Sequence, residues 1–268
     1  MTNKKVMIAA GAAFLAGIVA TYFFLQSRQQ PALVSSPLPL PELKPVVRQV
    51  IETPPGQVLP DLVDSDKLML DALAGLAGNG ALLKLLNVER IIRNIVVTID
   101  NLPNEHAPLK AMPLKPVQGV FIVEGATDHK VISPKNAARY EAYIKALEAM
   151  DAQKLVEVYV RLYPLFQQAY EELGYPKKYF NDRLLEVLDH LLAAPEPDKP
   201  IKLAQPHVLY TFADTGLQAC SAGQKILMRM GRANEAKIKV KLQEIKQQVL
   251  LHMQARKIAP EQGKTSLQ

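Results

Sequence analysis

Four side chains with metal-binding chemistry lie between residues 181 and 192. Asp182, Glu186 and Asp189 share one face of a predicted helix, and His190 lies one turn from Glu186. Carboxylates and imidazole at this spacing are ligands that divalent metals accept. The leucines of the same helix define a buried arc on the opposite side, and a second inward-facing Glu-x-x-His set, which a di-metal bundle requires, is missing from the sequence. The pattern favours a solvated polar face, and we expect no metal and no cofactor.

The other reactive residues are isolated. Cys220 is the single cysteine, which excludes an intramolecular disulfide and favours a small buried side chain over a reactive thiol. The segment "GKTS" (263–266) lacks the earlier glycine of a phosphate-binding loop, since position 258 is Ile258. The remaining histidines are scattered, and spacing alone assigns no acid–base carboxylate pair. We therefore predict no catalytic residue.

An aromatic stripe precedes the acidic face. Tyr159, Tyr163, Phe166 and Tyr170 fall within roughly 60° of one another on a helix, which predicts a buried stripe. The stripe is continuous if the helix absorbs Pro164; otherwise Pro164 begins a new helix.

A turn should follow this stripe. Gly174 suits a helix C-terminus, Pro176 stops the chain, and Asn181 or Asp182 would cap the next helix. Aromatic and arginine side chains dominate binding energy at interfaces. We therefore expect exposed residues of this turn to contact a partner protein, although each also has a role as a turn-forming or capping residue. The candidates for partner contact are Tyr175, Tyr179, Asn181, Asp182 and Arg183.

The N-terminus has the pattern of an uncleaved signal anchor. Val6 to Leu25 are twenty uncharged residues, long enough to span a bilayer as a helix, and the stretch ends in aromatic residues. Lys4 and Lys5 precede it, which favours a cytoplasmic N-terminus. We expect a single-pass protein of a bacterial inner membrane with its soluble domain in the periplasm. A ridge of small residues in the span is typical of helices that form homodimers, and is also ordinary in alanine-rich spans.

Composition divides the rest of the chain. Residues 31–60 hold eight of the twenty prolines, which predicts an extended spacer. The net charge of +6 is spread along the chain, so we expect no nucleic-acid partner. The predicted parts are a cytoplasmic tail (1–5), a transmembrane signal anchor (6–25), a proline-rich linker (26–60), a helical soluble domain (61–257) and a disordered tail (258–268).

The soluble domain should be mainly α-helical and bundle-like. Helical patterns cover 64–78, 80–103, most of 134–193, 214–230 and 232–257. A short β-hairpin is predicted at 119–133, and 200–212 reads as a short extended edge segment. The last helix carries an apolar face opposite several lysines. This pattern favours the closing helix of a bundle with lysines in water over a helix lying on anionic lipid.

Several segments resemble a bacterial family of N-terminally membrane-anchored proteins that is known only as a domain of unknown function. They are "TIDNLP" (98–103), "LYPLFQQAYEELGYPKKYFNDRLLEVLDHLLAAP" (162–195), "QPHVLYTFAD" (205–214) and "SAGQKILMRMG" (221–231). The resemblance spans about residues 59–250 and implies one domain, with no activity, cofactor or catalytic residue.

The sequence thus predicts a membrane-anchored envelope protein that acts as a non-enzymatic interaction or scaffold module. An envelope protein is the expected partner. The alternative is an envelope hydrolase or ligand-binding enzyme acting on cell-wall or lipid material. Its site would be assembled from residues distant in sequence, such as Glu171, Asp182 or His190.

Overall fold

The computed structural model describes residues 58–77, 80–126 and 129–255, which are mainly helical. Their helices are α1 (Asp66–Ala77), α2 (Ala81–Leu85), α3 (Ile91–Asn101), α4 (Asn136–Arg139), α5 (Glu141–Ala149), α6 (Ala152–Glu172), α7 (Phe180–Leu192), α8 (Thr215–Gln218), α9 (Ala222–Arg229) and α10 (Arg232–Ala255). Their strands are β1 (Val123–Glu124), β2 (Val131–Ile132), β3 (Leu203–Ala204) and β4 (Thr211–Phe212). Short 3-10 turns lie at Leu62–Asp64 and Leu109–Ala111.

The four strands form two antiparallel pairs, β1 with β2 and β3 with β4. The predicted hairpin at 119–133 is confirmed. The extended segment at 200–212 is itself a second hairpin, because the chain turns back after Pro206. A bridge between Val131 and Lys202 joins the two hairpins, and the Leu203 N–H donates to the carbonyl of Lys130 at 2.8 Å.

Helix α6 lies at the centre of the helical part, where it packs against α3 and α10. The predicted aromatic stripe is buried: Tyr163, Phe166 and Tyr170 are each at most 4 % exposed. Phe180, at the start of α7, stacks on Phe166 with ring centroids 5.9 Å apart and lies 5.6 Å from the ring of Tyr170. Aromatic packing therefore joins α6 to α7 across the turn.

The helix α6 runs through Pro164 without interruption. Pro164 is exposed, so its ring faces solvent and displaces nothing in the core. Gly174 has φ +111°, a left-handed conformation that suits the end of a helix, as expected.

The next helix begins differently from the prediction. Neither Asn181 nor Asp182 caps α7, which already starts at Phe180. The side chain of Gln167 in α6 holds this start instead: its Oε1 accepts the Phe180 N–H at 2.9 Å, and its Nε2 donates to the Lys178 carbonyl at 2.8 Å. A residue of the preceding helix thus satisfies an N–H group that a local cap would otherwise serve.

The single helix predicted over 80–103 is divided into α2 and α3. Residue Leu86 bridges to Leu114, and the Asn87 N–H donates to the Pro113 carbonyl at 2.9 Å, so the chain is extended between the two helices. The carboxylate of Asp66 in α1 then accepts the Ile91 N–H at 2.8 Å at the start of α3. This start is also capped by a distant side chain.

The last helix, α10, packs against α5, α6 and α7. Its face is buried as predicted, with Val249 1 % and Met253 7 % exposed. Three of the lysines, however, are not left in water. Lys239 donates to Glu196 at 2.6 Å, Lys241 donates to the Met150 carbonyl at 2.9 Å, and Lys246 pairs with Asp189. These contacts tie α10 to the helices beside it, and an outer face that includes Val240 and Leu251 stays exposed.

Within the part of the chain that the structure describes, no helix is both long enough and apolar enough to cross a bilayer. The predicted anchor at 6–25, nearly all of the linker and the predicted tail at 258–268 lie outside the described residues.

Candidate functional site

Two of the five predicted partner-contact residues, Arg183 and Tyr175, bond to Asp100 at the tyrosine-rich turn. Arg183 Nε donates to Asp100 Oδ1 at 2.8 Å, and its Nη2 donates to the Asp100 carbonyl at 2.6 Å. The Tyr175 hydroxyl donates to Asp100 Oδ2 at 3.2 Å. The Asp100 side chain is 9 % exposed and that of Arg183 is 24 % exposed. The turn and α7 are therefore tied to the last turn of α3.

The other three residues differ in exposure. Asn181 is 0 % exposed, so the expectation that it is exposed is wrong: it lies on the inward face of the first turn of α7. Tyr179 and Asp182 are half-buried. Burial, and then the nearby charge of Glu186, raises the pKa of the Asp182 carboxyl. The partner-contact role of this turn stays a prediction.

The polar side chains on the acidic face of α7 make more contacts within the domain than the sequence indicated. Glu186 lies 3.3 Å from Arg183, and Asp189 pairs with Lys246 of α10. His190 Nε2 lies 2.8 Å from the hydroxyl oxygen of Ser221. In the three described ranges, no group of three or more His, Cys, Asp or Glu side chains is placed to hold a metal ion.

The Ser221–His190 contact has the distance of a nucleophile and its base. Ser221 is 6 % exposed and caps α9: its Oγ accepts the Gln224 N–H at 3.2 Å, and the Gln224 side chain accepts the Ser221 N–H at 3.3 Å. The Gln224 amide also donates to the His190 carbonyl at 3.0 Å. This is a capping box that also fastens α9 to α7.

A separate cleft opens between the hairpins and the α9–α10 junction. Its volume is about 240 Å³. The apolar part of the lining includes Ile132, Ile201 and Met228, and the last two are at most 9 % exposed. Five charged side chains also line it: Asp198, Lys199, Arg229, Arg232 and Glu235. Three of the five are basic, and the N-terminus of α10 adds a partial positive charge at the same place.

Arg229 is the half-buried cation of this cleft that has no acidic partner among the described residues; Lys199 has none either, but it is exposed. The guanidinium of Arg229 lies over the ring of Phe212, 5.0 Å from the ring centroid. Across the described ranges, no carboxylate lies within ion-pair distance of it, and its side chain donates no hydrogen bond. Burial lowers the pKa of Arg229, and the nearby Tyr140 opposes this shift. Arg232, by contrast, pairs with Asp198.

Glu235 lies deepest, only 1 % exposed. Lys239 Nζ is 3.3 Å from its Oε1, which is within ion-pair distance, yet this oxygen accepts no well-aligned hydrogen bond from the described residues. The same Lys239 Nζ donates to the Ala194 carbonyl and to Glu196, each at 2.6 Å. Burial raises the pKa of the Glu235 carboxyl, and the charge of Lys239 opposes this shift.

Sequence reasoning missed both Arg229 and Glu235. An arginine inside the apolar run "ILMRM" was the available signal, because a charge within a buried stretch needs either a partner or a function. Glu235 carried no such signal, since acidic residues are common in the first turns of helices.

No curated protein and no solved structure matches the chain. Residues 91–246 match the family described as "Protein of unknown function (DUF3014)", and this range includes every residue that lines the cleft. The match confirms the resemblance to a family of unknown function. Because it spans more than half of the chain, the chain belongs to the DUF3014 family.

Proposed function

We propose that this protein is a non-enzymatic binding module of the bacterial envelope, whose cleft binds the anionic group of a ligand. Residues 6–25 would anchor it in the inner membrane, with the domain in the periplasm. The observation that carries the proposal is the half-buried guanidinium of Arg229, which lines a cleft and has no carboxylate partner among the described residues.

The physical basis is the cost of burying a charge. A partly desolvated cation loses hydration that only an opposite charge or good hydrogen bonds restore. Other buried cations of the domain have an acidic partner or a hydrogen-bond acceptor: Arg183 has Asp100, and Lys225 donates to the Gln218 carbonyl. For Arg229 the face of Phe212 restores only part of this energy. An anion in the cleft would supply the rest, in the planar geometry that guanidinium favours.

The cleft favours binding over catalysis. The hydroxyl group among the side chains that line the cleft belongs to Ser133, which is 1 % exposed. Its Oγ donates to Glu124 and accepts the Lys135 N–H. A buried hydroxyl held in this way is not presented to a substrate, whereas a nucleophile must reach the reacting atom.

Titration of the full-length protein in detergent with acetate and with phosphate tests the proposal, followed by NMR or calorimetry. We expect saturable binding that Arg229→Gln abolishes. The matched control is Arg93→Gln, which removes the same charge at an exposed ion pair with Glu172, remote in sequence from the lining residues. Loss of binding in both variants, or in neither, would show that Arg229 holds no anion.

The location needs its own test. A C-terminal alkaline phosphatase fusion should be active in cells if the domain is periplasmic. An inactive fusion, with a cytoplasmic reporter active instead, would reverse the topology.

The tyrosine-rich turn is a second candidate, as a surface for an envelope protein. Lys177 and Lys178 are exposed, and the half-buried rings of Tyr175 and Tyr179 flank them. Lys178 Nζ lies 5.2 Å from the Tyr175 ring centroid. A photoreactive residue at Tyr179 should give one discrete protein adduct in cells. Absence of an adduct from a folded, correctly located protein would contradict a stable partner at this turn.

A further inference from the structure

We infer that the ligand of the cleft is a small monocarboxylate whose remaining part is an aliphatic chain without further polar groups. This inference rests on the proposed function, because it assumes that Arg229 binds the anion. The additional observation is that the other buried polar side chains of the lining are already bonded within the protein, so the rest of the ligand meets mainly aliphatic carbon.

The uncharged polar side chains of the lining are Asn136 and Ser133, each 1 % exposed. Asn136 Oδ1 accepts the Ile122 N–H at 3.0 Å, and its Nδ2 donates to the carbonyls of Ile122 and Ser133 at 2.6 and 3.0 Å. The Ser133 hydroxyl donates to Glu124 at 2.5 Å and accepts the Lys135 N–H at 3.2 Å. Both side chains therefore use their donors within the domain and present none to a ligand.

The carboxylates of the lining are paired with cations. The two pairs are Asp198 with Arg232 and Glu235 with Lys239. Lys199 is exposed, so water solvates its ammonium. Arg229 is thus the half-buried charge of the lining that no carboxylate among the described residues neutralises. One such positive charge matches a ligand with one negative charge.

A carboxylate fits this arginine better than a phosphate does. The two oxygens of a carboxylate pair with the two parallel N–H groups of a guanidinium. A phosphate monoester carries a charge of about −1.5 to −2 at neutral pH, and its further oxygens would face aliphatic side chains or Asp198. The partial charge at the N-terminus of α10 balances only part of this excess.

The rest of the lining is mostly aliphatic: Ile132, Ala137, Pro197, Pro200, Ile201 and Met228. Methylene groups gain free energy when they leave water for such a wall, whereas a hydroxyl or amide without a partner there loses its hydration. The volume of about 240 Å³ equals that of roughly eight waters at about 30 Å³ each, so an acid of about four to six carbons would fill the cleft.

The test measures the affinity of the full-length protein in detergent for acetate, propionate, butyrate, 3-hydroxybutyrate and phosphate. The methyl NMR signals of Ile201 and Met228 report binding in the cleft, which both side chains line. We expect affinity to rise about threefold for each added methylene, since complete burial of one would give about fourfold and the cleft is open to solvent. 3-Hydroxybutyrate should bind more weakly than butyrate, because the buried polar side chains of the cleft are already bonded.

Three variants assign the contacts. Arg229→Gln should abolish binding of every carboxylate. Ile132→Thr and Ile132→Val place side chains of the same shape on β2, one with a hydroxyl where the other has a methyl, so the ratio of butyrate to acetate affinity should fall further in Ile132→Thr. Equal ratios would contradict contact between the chain and this wall. Circular dichroism melting checks that the variants fold, and the chain-length series in the unmodified protein tests the inference without any variant.

The two proposals fail in different ways. If acetate binds as tightly as butyrate, if 3-hydroxybutyrate binds as tightly as butyrate, or if phosphate binds most tightly, the anion-binding cleft stands and the inference about the aliphatic chain is wrong. If none of the five probes binds, both are wrong.

Discussion

Arg183 donates hydrogen bonds to both the carboxylate and the backbone carbonyl of Asp100. Nε donates to Oδ1 at 2.8 Å, and Nη2 donates to the carbonyl of the same residue at 2.6 Å. Two residues that are 83 positions apart in the chain thereby fasten α7 to the end of α3. This geometry needs the planar fork of guanidinium, which lysine lacks.

Replacing this arginine should therefore destabilise the fold. We expect Arg183→Lys to lower the free energy of unfolding by about 1–3 kcal/mol, because Asp100 keeps its burial and loses at least one donor. Urea denaturation measures this change in the free energy of unfolding. The control, Arg93→Lys, alters an exposed pair and should change stability by less than about 0.5 kcal/mol. Equal losses of stability in the two variants would show that the Arg183–Asp100 contact contributes no more than an exposed ion pair.

The packing around Gly223 leaves no room for a side chain. An added Cβ would lie 2.5 Å from Leu191 Cδ2 and 3.1 Å from the Leu102 carbonyl oxygen, which accepts the Gly223 N–H. Gly223→Ala should lower the free energy of unfolding by about 1–3 kcal/mol. Gly75 in α1 is the matched control, since nothing lies within 4 Å of its added Cβ. Gly75→Ala should raise stability by about 0.5–1 kcal/mol.

Gln167 should contribute to stability through the start of α7. We expect Gln167→Leu to lower the free energy of unfolding by about 1–2 kcal/mol, since the Phe180 N–H and the Lys178 carbonyl both lose their partner. The neighbouring Gln168 is exposed and, within the described ranges, bonds only to Glu172 on its own helix, so Gln168→Leu should be nearly neutral. Chemical denaturation of the two variants side by side decides the matter.

The buried tyrosines make stability depend on alkaline pH. Burial raises the pKa of Tyr170 from 10.0 to about 12, and it also raises the pKa of Tyr159 and Tyr163. The unfolded chain loses these protons near pH 10.0 and the folded chain does not, so the free energy of unfolding should fall as pH rises from 10.0 to about 12. Tyrosinate absorbance of folded and denatured protein measures the shift. Coincident titration curves would contradict it.

Ser221 should behave as a helix cap. Ser221→Ala should lower the free energy of unfolding by about 1 kcal/mol, because α9 loses its capping box. A fluorophosphonate probe, which labels activated serines, should leave the folded protein unlabelled. Labelling that disappears in Ser221→Ala would instead support the hydrolase alternative, with His190 as the base.

The sequence by itself determined the helical class, the buried tyrosine stripe and the apolar face of α10. These follow from hydrophobic periodicity, a local property that any packing of the domain must satisfy. The end of α6 at Gly174 is local too, since only glycine adopts its left-handed conformation without strain. The membership of a family of unknown function was likewise readable from the segments themselves.

Tertiary structure decided where α3 and α7 begin, because side chains of other helices, Asp66 and Gln167, cap them. It also decided that Asn181 is buried and that Arg183 turns inward to Asp100.

The cleft depended on packing as well. Arg229 ends α9 and Glu235 lies in the first turn of α10, but the ring of Phe212 and the wall at Ile132 come from the hairpins. Whether a charge is paired or left for a ligand depends on what surrounds it in space, and periodicity along one helix does not contain that information.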